Sequence, residues 1–292
     1  MKLLSYGAIL WDIIEGDEHI GGAPFNLAAH AAKLGAETHF MSAVGRDELG
    51  RRAREWIRRC GIYDKLVKDT DQPTGVVDVK LDADGVPDFT IREPAAWDYI
   101  TVTDEEVDWI KEQHFDCFCF GSLEQRQPVT KATLRRVLEA CRFEWVLCDI
   151  NLRMDYYDRE RVEYCVKECN ILKLNDEEAV KVAQMLDLGL SEEAACRRLR
   201  EQYHVEIVCV TCGAEGCRLH TSEGVTDCPG RQVKVADTVG AGDAFTAAFL
   251  VKICEGASSQ EAGDFACRLG ALVASKRGAI PEYDARTMND ER

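Results

Sequence analysis

The stretch DTVGAGDAF at 237–245 sets two glycines and an aspartate where a valine-rich run gives way to an apolar, helix-forming one. Val233–Val235 reads as strand and Ala244 onward as helix, so Gly240 and Gly242 fall just before a helix N-terminus. Backbone N–H groups at that position lack intrahelical acceptors and lie at the positive end of the helix dipole, and glycine lets the backbone approach an anion closely. Asp243 falls in the first turn. Two chemistries suit it there: a capping carboxylate favoured by the dipole, or a base beside an anion hole, taking a proton from a hydroxyl while a phosphoryl group is transferred. A second stretch, IGGAPFNLAAHAAKLG at 20–35, opens with the Gly21-Gly22 turn, carries Pro24 near the first helical position and sets Asn26 in the first turn. As structure this is a helix start; as chemistry it is an open backbone turn with an amide, suited to grasping a polyol. Asp12 follows the first strand, at the edge where α/β sheets carry ligands.

Other glycine patterns carry less. Gly240-x-Gly242 has Phe245 where a dinucleotide fingerprint needs its third glycine, and it lies far from the first βα turn. The segment GRDELGRR at 45–52 has the glycine spacing of a P-loop but arginines where the lysine and the serine or threonine should stand. NDEE at 175–178 reads as a capping box, with Asn175 and Glu178 three residues apart. TCGAEG at 211–216 reads as a glycine turn between strands.

These residues need a scaffold, and the pattern supplies one. Apolar strands KLLSYGAIL, THFMSAVG, FDCFCFG, WVLCDIN, NILKLN and VEIVCVT alternate with helical segments near 25–34, 47–60, 128–141, 159–168 and 176–202, followed by Ala- and Gly-rich helices at 242–254 and 259–276. Near-continuous apolar strands between helices imply a mostly parallel sheet covered on both faces. Residues 74–100 break the rhythm: an alternating Val/Leu run, then Asp84-Gly85, then a second strand-like run, which is a hairpin signal. Asp82-x-Asp84-Gly85 lacks the further carboxylates of a calcium loop. No Pro-, Gly- or Ser-rich linker interrupts the chain, so one domain over 1–292 is expected, with β excursions at about 13–20 and 74–100.

A net charge of −16 argues against a nucleic-acid partner. The basic run at 51–59 fits the wet face of an amphipathic helix. No apolar run approaches the roughly 20 residues of a membrane span, and the N-terminus turns polar too soon for a signal peptide, so a cytoplasmic protein is expected. The fourteen cysteines are then expected to be reduced core fillers. Cys209 and Cys212 are three apart in a strand and point to opposite faces, and Cys165 and Cys169 have no further ligand pair nearby.

Together, GGAPFNLAAHAAKLG and DTVGAGDAF resemble the two signature stretches of the ribokinase-like (PfkB) carbohydrate kinases, in the correct order, and the resemblance runs from GAILWD to SKRGAIP. It implies a ribokinase-like three-layer α/β/α fold with a small β lid. It also implies an ATP-dependent kinase that phosphorylates a primary hydroxyl. By that similarity Asp243 is the base and the amides of Gly240, Ala241 and Gly242 form the anion hole, while Asp12, Gly21, Gly22 and Asn26 bind sugar hydroxyls. Asn175, Thr211, Gly213 and Gly216 are placed at the nucleotide, and Glu178 acts on magnesium through water. CDINLR at 148–153 puts Asn151 and Arg153 near phosphate or substrate, and Asp237 and Val239 with segment 275–281 mark a potassium region. GGAPFN and REPAAWD look most like the fructokinase branch, with Arg92 or Trp97 approaching the sugar from the lid. Fructose is the expected acceptor; ribose, tagatose, ketodeoxygluconate or a nucleoside are the alternatives. Lids of this family pair between subunits, so a homodimer through about 74–92 is expected. The base and the anion-hole glycines are intact, against a non-catalytic sensor, and the first strand leads into WDIIEG, against an NAD oxidoreductase.

Overall fold

The computed structural model of the chain describes residues 1–81, 87–189 and 191–284. Its strands are β1 (Lys2–Tyr6), β2 (Leu10–Ile14), β3 (Asp17–Gly21), β4 (Glu37–Gly45), β5 (Tyr63–Thr70), β6 (Gly75–Leu81), β7 (Pro87–Ile91), β8 (Cys117–Gly121), β9 (Trp145–Asp149), β10 (Ile171–Asn175), β11 (Ile207–Thr211), β12 (Gly216–Thr221) and β13 (Gly224–Pro229). The helices are α1 (Ala23–Lys33), α2 (Glu48–Arg59), α3 (Asp104–Gln113), α4 (Pro128–Ala140), α5 (Arg159–Glu168), α6 (Asp176–Met185), α7 (Glu192–Tyr203), α8 (Ala241–Cys254) and α9 (Ser259–Ala274).

The larger sheet runs β13-β12-β11-β10-β9-β8-β1-β4-β5. It is parallel from β5 to β11 and antiparallel at the β12 and β13 edge. Successive strand residues face opposite layers. Leu3, Cys117, Cys119 and Ile171 pack with α1, α8 and α9, whereas Leu4, Phe118, Phe120 and Leu172 pack under α3 to α7. That two-sided burial is why the strands read as unbroken apolar runs, and burying one of these side chains, such as Phe118, contributes about 1.5–3 kcal/mol. Buried cysteines on both faces act as small apolar fillers, and all fourteen are free thiols. The arrangement is the expected three-layer α/β/α fold.

The smaller sheet runs β3-β2-β6-β7, and its apolar face (Leu10, Val77, Val79) packs on Ala8, Ala95 and Trp97. Its strands cover the two excursions foreseen near 13–20 and 74–100; the proposed Asp84-Gly85 turn lies outside the described residues.

Several elements depart from the sequence reading. KLLSYGAIL is two strands in two sheets, broken at Gly7, whose φ of 142° lies in the region favoured by glycine. The expected helix over 176–202 splits into α6 and α7, because Asp187 and Gly189 take positive φ and Ser191 caps α7. Val233–Val235 is not a strand: it follows the edge strand β13 without pairing with any strand among the described residues, and Val235 is 59% exposed. Helix α3, with its Thr103–Glu106 capping box, and the β12–β13 hairpin carry local signals that the reading passed over.

Candidate active site

The parallel strands end along one edge, where Gly121 pairs with Asp149, Asp149 with Lys173, and Asn175 with Thr211. Helix α8 begins over this edge. Its N-cap, Gly240, has φ 77°, and a Cβ there would lie 2.4 Å from the Ala279 carbonyl oxygen, so only glycine fits. The Ala241 N–H donates to Thr238 O at 3.3 Å and the Ala244 N–H to Gly240 O at 2.9 Å. Among the described residues no acceptor meets the N–H groups of Gly240, Gly242 or Asp243. These are the open donors of a helix N-terminus. Beneath them lies Lys173: a Cβ on Gly242 would sit 3.6 Å from its Nζ.

Lys173 Nζ is 3.0 Å from both Asp149 oxygens, and Thr246 Oγ1 lies 3.3 Å from Asp149 and 2.8 Å from the Gly242 carbonyl. Burial disfavours the ammonium charge, but the Asp149 carboxylate outweighs it and holds the lysine above its ordinary range. A charged lysine thus lies fixed beside the open N–H groups of this turn.

Asn26, buried in the first turn of α1, donates from Nδ2 to Asp243 Oδ2 at 2.8 Å. The two stretches singled out in the sequence, 217 residues apart, therefore meet in one hydrogen bond. Burial pushes the Asp243 carboxyl up to about 6; the Asn26 hydrogen bond opposes this, the Asp149 charge adds to it, and Lys173 and Arg153 oppose it. Such a carboxylate is ionised at neutral pH yet close enough to titration to accept a proton.

Asp12 stands on the apolar face of the smaller sheet, between Leu10 and Ile14 and opposite Val77. Burial pushes it to about 6, with His19 opposing, and no donor among the described residues reaches its carboxylate. A Cβ on Gly21 would meet Asp12 Oδ2 at 2.6 Å, and one on Gly22, φ 107°, would meet Ala8 O at 2.5 Å. Both glycines keep this floor open.

Of the remaining candidates, Arg153 lies within electrostatic reach of Asp243, and Asn151 ends the β9 edge with a left-handed φ of 45°. Asn175 and Glu178 form the foreseen capping box, and Glu178 Oε1 also accepts from Leu152 N–H at 2.9 Å, tying the 149–153 loop to α6. Thr211 donates to Leu174 O at 3.2 Å. Gly213 has φ 55°, and Gly216 is demanded by packing, since a Cβ would lie 2.0 Å from Cys228 O. Asp237 accepts from Val239 N–H and Gly278 N–H, both at 3.0 Å, joining the 237–239 turn to the 275–281 segment. Arg92 stands apart: it is forked onto Asp78 at 2.7 Å and its side chain is 57% exposed.

The reading missed Glu124, Lys173 and Arg126. Glu124 is buried just past β8, accepts from Ala8 N–H at 3.4 Å, and is pushed by burial to about 7. Among the described residues its Oε2 has no hydrogen-bond partner, nor do Asn26 Oδ1, Trp97 Nε1 and Arg126 Nη1, all of them buried, though Arg126 Nη1 lies 3.4 Å from Glu93 Oε1. Arg126 is forked onto Asp98 at 2.7 and 2.6 Å and lies 4.0 Å over the Trp97 ring. A charged residue inside or just beyond an apolar strand was the available signal, in ILKLN and in CFGSLE.

Residues 12–286 match the family described as pfkB family carbohydrate kinase. The chain belongs to that family. It is 31% identical over 295 residues to a putative sugar kinase of Pyrococcus horikoshii, covering 95% of this chain and 91% of the relative. The crystal structure of that kinase superposes with a TM-score of 0.83 at 27% identity, covering 100% of this chain and 98% of the other. Fructokinase-1 of Oryza sativa subsp. japonica is 30% identical over 277 residues, covering 89% and 84% of the two chains. A fructokinase of Xylella fastidiosa with bound ATP shares the fold at 21% identity, with a TM-score of 0.86 and 99% and 98% of the chains covered. Among the described residues no helix of this family member is long and apolar enough to cross a membrane.

Proposed function

We propose that this pfkB carbohydrate kinase transfers the γ-phosphate of ATP to the primary hydroxyl of a neutral sugar, fructose first among them. The hydrogen bond from Asn26 to Asp243 carries the reading, because it sets an amide suited to a polyol against a carboxylate that is ionised at neutral pH yet close to titration, at an open helix N-terminus. Asp243 takes the hydroxyl proton as that oxygen bonds to the γ-phosphorus and ADP leaves with its bridging oxygen. The N–H groups of Gly240 and Gly242, with Ala241 in the same turn, stabilise the transferring phosphoryl group. Asp12, the Gly21-Gly22 backbone, Asn26 and Glu124 hold the hydroxyls, and Asn151 and Arg153 border the phosphates. Asn175, Thr211, Gly213 and Gly216 line the nucleotide end.

Neutral acceptors fit the charge balance. Asp12, Glu124 and Asp243 bring three carboxyl groups to the proposed sugar end, while Arg126 is forked onto Asp98 and Lys173 is paired with Asp149. A sugar acid would add its charge to these carboxyls, with Arg153 the cation left within electrostatic reach of Asp243. Among the described residues no three metal-ligating side chains cluster, and both Glu178 oxygens already accept N–H groups. Glu178 would reach a magnesium ion through one of the metal's waters, and the ion would supply charge neutralisation at the phosphates. The turn at Asp237 and Val239 is the proposed potassium region.

The test is ADP release from magnesium-ATP against fructose, ribose, tagatose, ketodeoxygluconate and adenosine, with and without potassium. Turnover confined to fructose supports the full reading; turnover on ketodeoxygluconate alone overturns the charge argument. We further propose a cytoplasmic homodimer through the smaller sheet, whose edge strand β7 leaves Phe89 50% exposed. A monomeric mass by light scattering at micromolar concentration would refute that dimer.

A further inference from the structure

His30 lies one helical turn beyond Asn26 on α1 and is fully buried. Its Nε2 is 2.9 Å from the Ala279 carbonyl oxygen and its Nδ1 is 2.8 Å from the Tyr283 hydroxyl. A carbonyl can only accept, so Nε2 carries the proton and Nδ1 accepts from Tyr283 O–H. Burial, against the Ala279 bond, pushes the imidazole down to about 4, so the ring is neutral at pH 7. Tyr283 also stacks on it, with ring centroids 5.7 Å apart.

The same Ala279 carbonyl presses on Gly240, where even a Cβ would be only 2.4 Å away. Gly240 is the left-handed N-cap from which the open N–H groups of Gly242 and Asp243 project. Helix α1 thus grips the start of α8 at two points one turn apart: Asn26 holds the Asp243 carboxylate, and His30 holds Ala279 against Gly240. A histidine serving only as core filler would leave its ring nitrogens with arbitrary partners. Here the acceptor of Nε2–H is the very carbonyl against which the anion-binding turn is seated.

We propose that His30 is a positioning residue for phosphoryl transfer, fixing the Ala279 carbonyl against Gly240 and so the direction of the Gly242 and Asp243 N–H groups relative to the acceptor. This rests on the kinase reading of the site. Displacing such donors by a fraction of an ångström weakens transition-state contacts more than ground-state ones, so the effect falls on kcat before acceptor KM.

The experiment compares His30→Phe, which keeps a planar aromatic ring and loses both hydrogen bonds, with His30→Gln, whose amide N–H reaches the Nε2 position. Both are read by ADP release with saturating acceptor and by hydrogen exchange of the 238–245 peptide. Expected for His30→Phe is a kcat loss of about tenfold or more with acceptor KM within about threefold, and faster exchange at 240–245 with β8 and β9 unchanged. His30→Gln restores kcat to within about threefold of the parent and restores the exchange pattern. Equal losses in both variants, an unchanged kcat in His30→Phe, or faster exchange spread evenly over the chain would overturn the proposal. If the parent protein transfers no phosphate to any acceptor, the kinase reading falls, and local against uniform exchange alone decides whether His30 seats the turn. If His30→Phe does not fold, Tyr283→Phe decides: faster exchange at 240–245 supports the clamp, and unchanged exchange overturns it.

Discussion

Replacing Asp243 by Asn removes one oxygen's charge and little else. The new side chain keeps a carbonyl oxygen to accept from Asn26 Nδ2, now 2.8 Å from the carboxylate, and keeps the volume. Loss of a positioned base costs about 10²–10⁴ in turnover. Stability moves the other way. Burial raises the Asp243 carboxyl from 3.8 to about 6, and a difference of that size corresponds to at most about 3 kcal/mol. Because the folded carboxyl binds its proton more tightly than the unfolded one, folding suffers no deficit below the unfolded value. The deficit grows as pH rises from about 4 and is complete above about 6. The uncharged variant escapes it. At pH 7.5 it should melt higher by up to about 5 °C for a chain of 292 residues, with the advantage shrinking towards pH 5. Sugar-dependent ADP release and melting curves at pH 5 and 7.5 read both halves. A turnover loss under about tenfold would refute Asp243 as the base. A melting difference independent of pH would refute the account of its buried charge.

Turnover of the parent protein should decline as pH falls through about 6, when Asp243 takes up its proton, and a rate level down to pH 5 would contradict that. Asp12→Asn loses a charge-assisted acceptor of sugar hydroxyls and should lower kcat/KM for the acceptor by about 10- to 100-fold, with ATP KM unchanged in the same assay. Lys173→Met strands Asp149, whose side chain is 13% exposed, and should destabilise the protein by about 3–5 kcal/mol in urea melts. Adding Asp149→Leu should recover most of that, because the penalty is an unpaired buried charge.

Chemistry that depends on neighbouring residues was legible before any coordinates. Gly240 at a helix N-cap with Gly242 in its first turn, Gly21-Gly22 before another helix, and the Asn175–Glu178 box are each written within a few positions, because backbone conformation and capping are local. The same holds for the parallel sheet, since two-sided burial prints itself as apolar runs. Boundaries failed where the local signal was weak: Val233–Val235 has strand-forming side chains but does not pair with the sheet edge it follows, and nothing adjacent in the chain announces Gly7 as the point where one apolar run passes between two sheets.

The sequence by itself determined the fold class, the family signature and the glycine turns at 21–22 and 240. Only the tertiary structure decided that Asn26 touches Asp243, that Lys173 is paired with Asp149, that Arg92 is turned to Asp78, and that His30 reaches the Ala279 carbonyl. The reason is physical. A residue's local conformation follows from its chain neighbours, but the proton affinity and hydrogen bonding of a buried group depend on charges and dipoles brought beside it from distant segments. Asp243 and Asn26 are 217 positions apart and share one hydrogen bond.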